Sequence, residues 1–188
     1  MMKNIIILAI LCFSLQSEAT SPWDTIDPNN FDAKLMEEQV LDQINLYRKQ
    51  KNVSFLFANP KIKPVSDDHL NYLKKTGEFS HEQSTPGKRT IQDRFVHYTK
   101  ARSYAVAENL AKTFVLKPTH NYTASGSTQL STAYTYRQAA IYMFNAWKAS
   151  PSHHTNMVNP RYKWTGLSIY LDPKTKAMTA VQVFARID

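Results

Sequence analysis

Two histidines and one glutamate have the placement expected of a functional site. His81 follows the second predicted helix, Glu108 lies in a short apolar segment, and His153 lies at the start of a short helix. Ends of elements are positions from which a fold directs side chains into a cleft. Two imidazoles and a carboxylate suit zinc, whose catalytic sites commonly use three protein ligands. The structural alternative is that the three groups only hydrogen-bond one another and tie helix ends to a sheet.

The segment from Trp147 to Pro160 predicts where His153 lies. Ser150 followed by Pro151 is typical of a helix start, because a serine hydroxyl accepts a free backbone N–H and proline has no N–H to satisfy there. The positive end of the helix dipole disfavours the cationic form of a histidine in the first turn. We therefore expect a neutral His153 that can bind a metal or accept a proton.

No other arrangement of nucleophile and base is evident. Ser80 and Ser152 each precede a histidine, but adjacency in the sequence does not aim a hydroxyl at a ring nitrogen. The remaining histidines have no partners at comparable positions, and we expect them at the surface. These are His69, His97, His120 and His154.

Residues 1–19 have the three parts of a secretory signal peptide. Lys3 gives a basic start, residues 5–15 are mostly apolar but too short to cross a bilayer, and small residues flank a cleavage position after Ala19. The sequence thus predicts a secreted or cell-surface protein. An alternative is a lipid anchor on Cys12, the only cysteine, although the leucine before it argues against a lipoprotein signal. Without Cys12 the mature chain has no disulfide and needs an ordinary core.

Composition limits the classes of partner. The chain has 23 basic and 15 acidic residues, a net charge of +8. Its lysines are scattered, with short clusters at 49–51 and 61–63, which favours solvated faces over a patch for an anionic polymer or membrane. There is no glycine-rich phosphate loop, no repeat and no second apolar run of membrane-spanning length. We expect no nucleic-acid partner, no transmembrane helix in the mature chain, and a monomer.

Hydrophobic periodicity and helix-cap signals predict four main helices, the third of them short, with one strand between them and a β-hairpin at the end. Residues 20–32 form a polar leader, and residues 33–188 form one domain that is α+β, with helices layered on a sheet. Residues 104–110 are predicted as a buried strand, and residues 120–132 as a long surface loop. Asp32 is predicted to cap the first helix, over 33–51, and Ser66 and Gly77 are predicted to bound the second. Thr90 with Asp93 is predicted to begin the third helix, and Thr135 with Gln138 the fourth. The predicted hairpin turn is 172–175.

Four short motifs follow one another along the chain. They are Asn45 to Arg48, Phe79 to His81, Ala107 to Ala111 and Trp147 to Met157, followed by Gly166 at the start of a strand. Together they resemble the CAP superfamily (cysteine-rich secretory proteins, antigen 5 and pathogenesis-related proteins), and more narrowly its bacterial SCP-like extracellular branch. Each motif alone is weak, but four in the right order behind a secretion signal are specific. The resemblance covers residues 33–187.

The resemblance implies a three-layer α-β-α sandwich with a mostly antiparallel sheet and a central cleft. In that family the cleft holds two histidines and two glutamates, and the histidines can bind zinc or another divalent ion. The position of the second glutamate is Ser150 in this chain, so less negative charge is available to hold a cation. Carried over by motif, the cleft residues are His81, Glu108 and His153, supported by Asn109, Ser150 and Asn156.

The absence of a cysteine from the mature chain and of an evident Ser-His-acid triad favours a non-enzymatic binding module over an enzyme. The expected ligand is an extracellular or envelope molecule, a lipid or a host protein, with at most weak metal binding through His81 and His153. The alternative is a zinc-dependent hydrolase, in which zinc on the two histidines activates water and Glu108 is the catalytic general base.

Overall fold

A computed structural model describes residues 20–123 and 126–188, and these ranges contain five helices and six strands. None of these helices combines the length and apolar character that crossing a bilayer requires. The helices are α1 (Ala33–Gln50), α2 (Lys63–Thr76), α3 (Ile91–Thr99), α4 (Tyr136–Ala149) and α5 (Pro151–Val158). The strands are β1 (Phe57–Ala58), β2 (Tyr104–Phe114), β3 (Leu116–Thr123), β4 (Gly126–Ala133), β5 (Trp164–Leu171) and β6 (Ala177–Ile187).

The main sheet has the strand order β1-β5-β6-β2, with only β1 parallel to its neighbour. Side chains alternate between the two faces of a strand, and β6 shows this directly. Ala180 and Phe184 belong to a core that contains residues of α1, α4 and α5, whereas Val181 and Val183 belong to a second core with α2 and α3. The chain is therefore a three-layer α-β-α sandwich with a mostly antiparallel sheet, as predicted.

Four of the predicted helix boundaries are confirmed by their hydrogen bonds or backbone geometry. Asp32 Oδ1 accepts from the Leu35 N–H at 2.9 Å, and Gly77 ends α2 with φ 75°. Capping boxes form between Thr90 and Asp93 and between Thr135 and Gln138. The C-terminal hairpin is also confirmed, since β5 and β6 pair across residues 172–176.

Two element predictions are wrong. α2 begins at Lys63 rather than after Ser66, because Pro64 occupies its first turn and Ser66 Oγ donates to the Lys63 carbonyl instead of capping a helix. The predicted loop over 120–132 lies mostly within β3 and β4, which form a separate two-stranded hairpin. Its threonines and Tyr122 favour extended backbone even without an apolar alternation. The side chain of His120 lies outside the described part of the chain.

The residues before α1 pack against the rest of the protein. Ile26 is 2% exposed within the core shared by α1 and α4, and its N–H donates to the Tyr134 carbonyl. The Asp32 N–H donates to the Tyr136 hydroxyl at 2.7 Å. Residues 22–32 are thus a structural part of the sandwich. The predicted signal peptide over 1–19, including Cys12, lies outside the described residues.

Gly166 on β5 lies directly against the backbone at the start of α2. A Cβ at this position would come within 2.7 Å of the Ile62 carbonyl carbon and oxygen and 2.9 Å of the Lys63 nitrogen. Backbone cannot rotate away as a side chain can. We therefore expect Gly166→Ala to lower the free energy of unfolding by about 3 kcal/mol, the upper end for overpacking, as measured by urea denaturation.

The control for this prediction is Ala58→Val on the neighbouring β1. Ala58 is exposed, so its larger side chain should change the free energy of unfolding by no more than about 0.5 kcal/mol. Equal stabilities of the Gly166→Ala protein and the parent would contradict the close approach of β5 to α2.

Candidate functional site

The site is built on two consecutive residues of β2, the strand at one edge of the main sheet. Glu108 pairs with Val183 of β6, whereas Asn109 pairs with Gln182. Residues opposite each other in an antiparallel pair point to the same face. Val183 belongs to the core with α2 and α3, so Glu108 points to that layer and Asn109 points to the layer of α4 and α5.

The Glu108 carboxylate is buried, and each of its two oxygens accepts a hydrogen bond. Its side chain is 1% exposed, Oε2 accepts from Arg94 Nη2 at 2.8 Å, and Oε1 accepts from His81 Nδ1 at 2.9 Å. The Nε2 atom of His69 lies 3.7 Å from Oε1. Arg94 has no exposed side-chain surface, so this pair is removed from solvent. Burying a carboxylate is costly unless a charged partner with good hydrogen-bond geometry compensates it, and Arg94 does so.

His81 presents its ring to solvent while its inner nitrogen is held. Its side chain is 56% exposed, and Arg94 Nη2 also donates to its backbone carbonyl at 3.2 Å. Because Nδ1 donates to Glu108, the second nitrogen, Nε2, is the one available as an acceptor or a metal ligand. Glu108 and Arg94 together therefore orient His81 from the side chain and from the backbone.

His153 is positioned through its backbone by two asparagines. Asn109 Nδ2 donates to the His153 carbonyl at 3.1 Å, and Asn156 Nδ2 donates to Asn109 Oδ1 at 2.9 Å. Ser150 does not provide the predicted side-chain cap, although α5 starts at Pro151 as expected. The Ser150 hydroxyl instead lies 3.4 Å from that of Ser152. Asn109 and Asn156 thus attach α5 to β2, and within the described part of the chain no side-chain hydrogen bond joins Ser150 to the other candidate residues.

The electrostatic environment of His153 includes His81. The pKa of His153 is lowered from its ordinary value, first by burial of the half-exposed ring and second by the nearby charge of His81. Among the described residues, no hydrogen bond or ion pair joins His153 to Glu108. The structure therefore brings His81 into contact with Glu108, whereas His153 is linked to His81 only through the effect of its charge.

The lowered pKa of His153 has a predictable consequence for stability. Unfolded histidine titrates near pH 6.5, so between that pH and the lower folded pKa the unfolded chain binds more protons. Folding stability from this group is therefore complete above about pH 6.5 and is lost as the pH falls through the folded pKa. We expect the NMR titration midpoint of the His153 ring to lie below its midpoint in the urea-unfolded chain. In His81→Ala this midpoint should move upward, and an unchanged or lower midpoint would contradict the proximity of the two rings.

Two buried residues beside Glu108, His69 and Arg94, were not among the predicted site residues. The prediction that His69 lies at the surface is wrong, because its side chain is 0% exposed and its ring nitrogens lie 2.8 Å from Gln83 Oε1 and from the Ser80 carbonyl oxygen. The spacing of Val65, His69 and Leu73 on one face of α2 could have indicated this burial.

The burial of Arg94 and the partial burial of His154 were also not predicted. Arg94 lies one position before Phe95 and three after Ile91, on the inner face of α3, where a charged side chain signals a buried partner. His154, also predicted at the surface, is half-buried and its Nε2 lies 3.0 Å from the Tyr47 hydroxyl. His97 is exposed, as predicted.

The donor set does not fit a three-ligand metal site. In the described part of the chain, no group of three or more His, Cys, Asp or Glu side chains is arranged to hold a metal ion. Both oxygens of Glu108 are engaged, and the adjacent Arg94 guanidinium repels a cation. His81 and His153 remain as two imidazoles that could contact a divalent ion. A cavity of about 520 Å³ is lined by Ser80 and Glu82, the chain neighbours of His81, but neither His81 nor His153 is among its lining residues.

Solved structures with a similar fold come from several bacteria. An outer surface protein from Borrelia burgdorferi is 17% identical, with a TM-score of 0.64, and the match covers 84% of this chain and 97% of that one. An extracellular protein containing an SCP domain from Bacillus anthracis is 20% identical, with a TM-score of 0.56, over 82% of this chain and 41% of that one. The CAP domain of enterococcal PrgA is 17% identical, with a TM-score of 0.51, over 89% and 68%.

Two sequence comparisons accompany the structural one. The search of curated proteins found no match. The sequence profile described as the cysteine-rich secretory protein family (CAP) matches residues 41–184, which include Glu108, His81 and His153. The order of the elements, the three layers and this match identify the chain as a member of the cysteine-rich secretory protein (CAP) family.

Proposed function

We propose that this protein is a secreted or surface-exposed binding module without enzymatic activity, and that its ligand contacts His81 and His153 beside the edge strand β2. The observation that carries the proposal is the engagement of Glu108 by Arg94 and His81 at 2.8 and 2.9 Å. A general base needs a free lone pair directed at the proton it removes. Glu108 has its oxygens committed to neighbours and acts as a positioning residue for His81.

The groups that this site offers to a ligand are the imidazoles of His81 and His153. His81 is largely exposed, and His153 is held in a neutral-favouring environment by partial burial. Such a pair offers hydrogen bonds to a polar group of a ligand, and weak contact to a divalent ion such as zinc. A cavity of about 520 Å³, which is lined by Ser80 and Glu82 and not by the two histidines, is the space we propose for the rest of a lipid-like molecule or a protein segment.

The proposed location is supported by the sequence pattern of residues 1–19 and by the similar structures. One of those proteins is described as an outer surface protein and another as extracellular. A secreted or surface-exposed chain meets its ligand outside the cell, and we propose an envelope lipid or a host protein as the partner.

Calorimetric zinc titration and a hydrolysis assay test this proposal together. The secreted chain should bind zinc weakly or not at all, and any binding should disappear in His81→Ala and in His153→Ala but persist in the matched control His97→Ala. Hydrolysis of chromogenic ester substrates should be absent with and without zinc. Zinc-stimulated hydrolysis that is lost in Glu108→Gln would contradict the proposal and favour the metalloenzyme.

Binding is tested with a panel of lipid vesicles and purified envelope proteins. We expect at least one member of the panel to bind the parent protein and to lose about tenfold in affinity, or ~1.4 kcal/mol, in the His81→Ala/His153→Ala double variant. The His97→Ala variant should bind as the parent does. Equal binding by the double variant would place the ligand elsewhere.

A further inference from the structure

A second cavity lies at the opposite edge of the main sheet from β2. It has a volume of about 370 Å³ and is bounded by α1, by the turn between β1 and α2, and by β5. Its apolar walls come from Leu41 on α1 and Pro60 in the turn, and its floor comes from Thr165 to Leu167. This cavity shares no lining residue with the His81 site.

The floor of this cavity is an open strand edge. The Asn59 N–H donates to the Thr165 carbonyl at 2.9 Å, after which β1 ends, and the Ile169 N–H donates to Glu37 Oε1 at 3.1 Å. Backbone groups of alternate residues in a strand point to the same side. The N–H and C=O of Leu167 therefore point to this edge between those two bonds, and no described residue pairs with them there. Leaving a backbone donor and acceptor without hydrogen bonds costs free energy, so a ligand that bonds to both would be favoured.

Carboxylates outnumber ammonium groups in the ion pairs beside this cavity, although the protein is basic. Glu37 and Glu38 line the cavity with Lys34 and Lys63. Lys34 pairs with Glu38, whereas Lys63 pairs with both Glu37 and Asp67, which lies outside the lining. The Lys63 ammonium already contacts Glu37 at 3.2 Å, Asp67 at 2.6 Å and Ser168 Oγ at 3.0 Å, so its three protons are used. Burial also raises the pKa of the Glu37 carboxyl, which means that the charged form would gain from an additional cation.

We propose that this cavity binds a short, extended peptide segment with a positive charge, which pairs its backbone with Leu167 and places its cationic group beside Glu37 and Glu38. A peptide that adds as a strand can form hydrogen bonds with both the N–H and the C=O of Leu167. A hydrocarbon chain can form neither bond. The open edge from Thr165 to Ile169 spans about 13 Å. It therefore accommodates two or three residues, with one side chain between Leu41 and Pro60.

The test uses the whole secreted chain and three blocked tripeptides as probes. These are acetyl-Val-Lys-Val-amide, acetyl-Val-Glu-Val-amide, and the lysine probe with its backbone nitrogens methylated. In an amide-resolved NMR titration, the lysine probe should shift the Leu167 amide resonance with a Kd on the order of 1 mM. The glutamate and methylated probes should bind at least about tenfold more weakly, since one lacks the cation and the other lacks the donors.

Variants connect this binding to the cavity. Leu41→Trp fills the space and should abolish binding, while Glu38→Lys, at an exposed position, should weaken the lysine probe and favour the glutamate probe. His81→Ala should leave binding unchanged, which separates this site from the one proposed above. Equal binding of all three probes, resonance shifts centred on His81 and His153, or the absence of a saturable shift would each overturn the proposal.

Discussion

Replacement of Arg94 by leucine should lower the free energy of unfolding by about 3–5 kcal/mol, because it leaves the Glu108 carboxylate buried without its cation. Arg94 has no exposed side-chain surface, and it donates to Glu108 at 2.8 Å, to the His81 carbonyl at 3.2 Å and to the Arg89 carbonyl at 3.1 Å. Leucine fills part of the volume but satisfies none of these oxygens. Chemical denaturation at pH 7 measures the loss.

The origin of this loss can be separated by a double-mutant cycle. In a Glu108→Gln background the carboxylate charge is gone, so Arg94→Leu should cost less by at least about 1 kcal/mol. Arg94→Lys keeps the charge but lacks the planar fork that reaches the carboxylate and two carbonyls together. We expect it to recover only part of the stability. An additive cycle would show that Arg94 stabilises the fold by packing alone.

Arg48 on α1 should be of similar importance, since we expect Arg48→Met to cost about 4 kcal/mol. The lost charge-assisted bonds contribute roughly 1.5–3 kcal/mol each, and the desolvation cost of a buried guanidinium, which methionine does not carry, offsets part of that sum. Its guanidinium is 0% exposed and contacts backbone carbonyls only. Burial lowers its pKa to about 10. The acceptors are the carbonyls of Ser54 at 2.6 Å, Met157 at 2.7 Å, Asn159 at 3.2 Å and Tyr162 at 3.0 Å.

The consequence for Arg48→Met extends to the candidate site, because Met157 and Asn159 lie at the end of the helix that carries His153. We expect faster hydrogen exchange of α5 amides together with the lowered unfolding free energy. The matched control is Lys49→Met on the exposed side of the same helix, which should change stability by no more than about 0.5 kcal/mol. Normal exchange in α5 of the Arg48 variant would show that the turn after α5 does not depend on this side chain.

The parts of the fold that the sequence predicts are those specified locally. The Thr90–Asp93 and Thr135–Gln138 capping boxes and the stop at Gly77 involve residues close in the chain, so composition and spacing are enough to place them. β1 was missed because it has only two residues and exists through its pairing with β5. The boundary of α2 was misplaced because Ser66 satisfies its hydroxyl within the helix.

The candidate site was predictable in its members but not in its electrostatics. Motif order indicated His81, Glu108 and His153, and the structure brings them to one edge of the sheet. That Arg94 and His69 surround Glu108 depends on how α2 and α3 pack against β2. Such packing is set by contacts distant in sequence, and buried charged residues are rare enough that composition gives a poor indication of them.

The alternation of Glu108 and Asn109 makes the register of β2 a condition for the whole site. A slip of one residue against β6 would turn Glu108 toward α5 and Asn109 toward Arg94, leaving a guanidinium in the interior opposite a neutral amide. The pairing of Tyr104–Phe114 with Ala177–Ile187 along their full length opposes such a slip. Correct pairing of this one strand therefore positions groups in both helical layers, and mutations that loosen the pairing would displace the two histidines without replacing either.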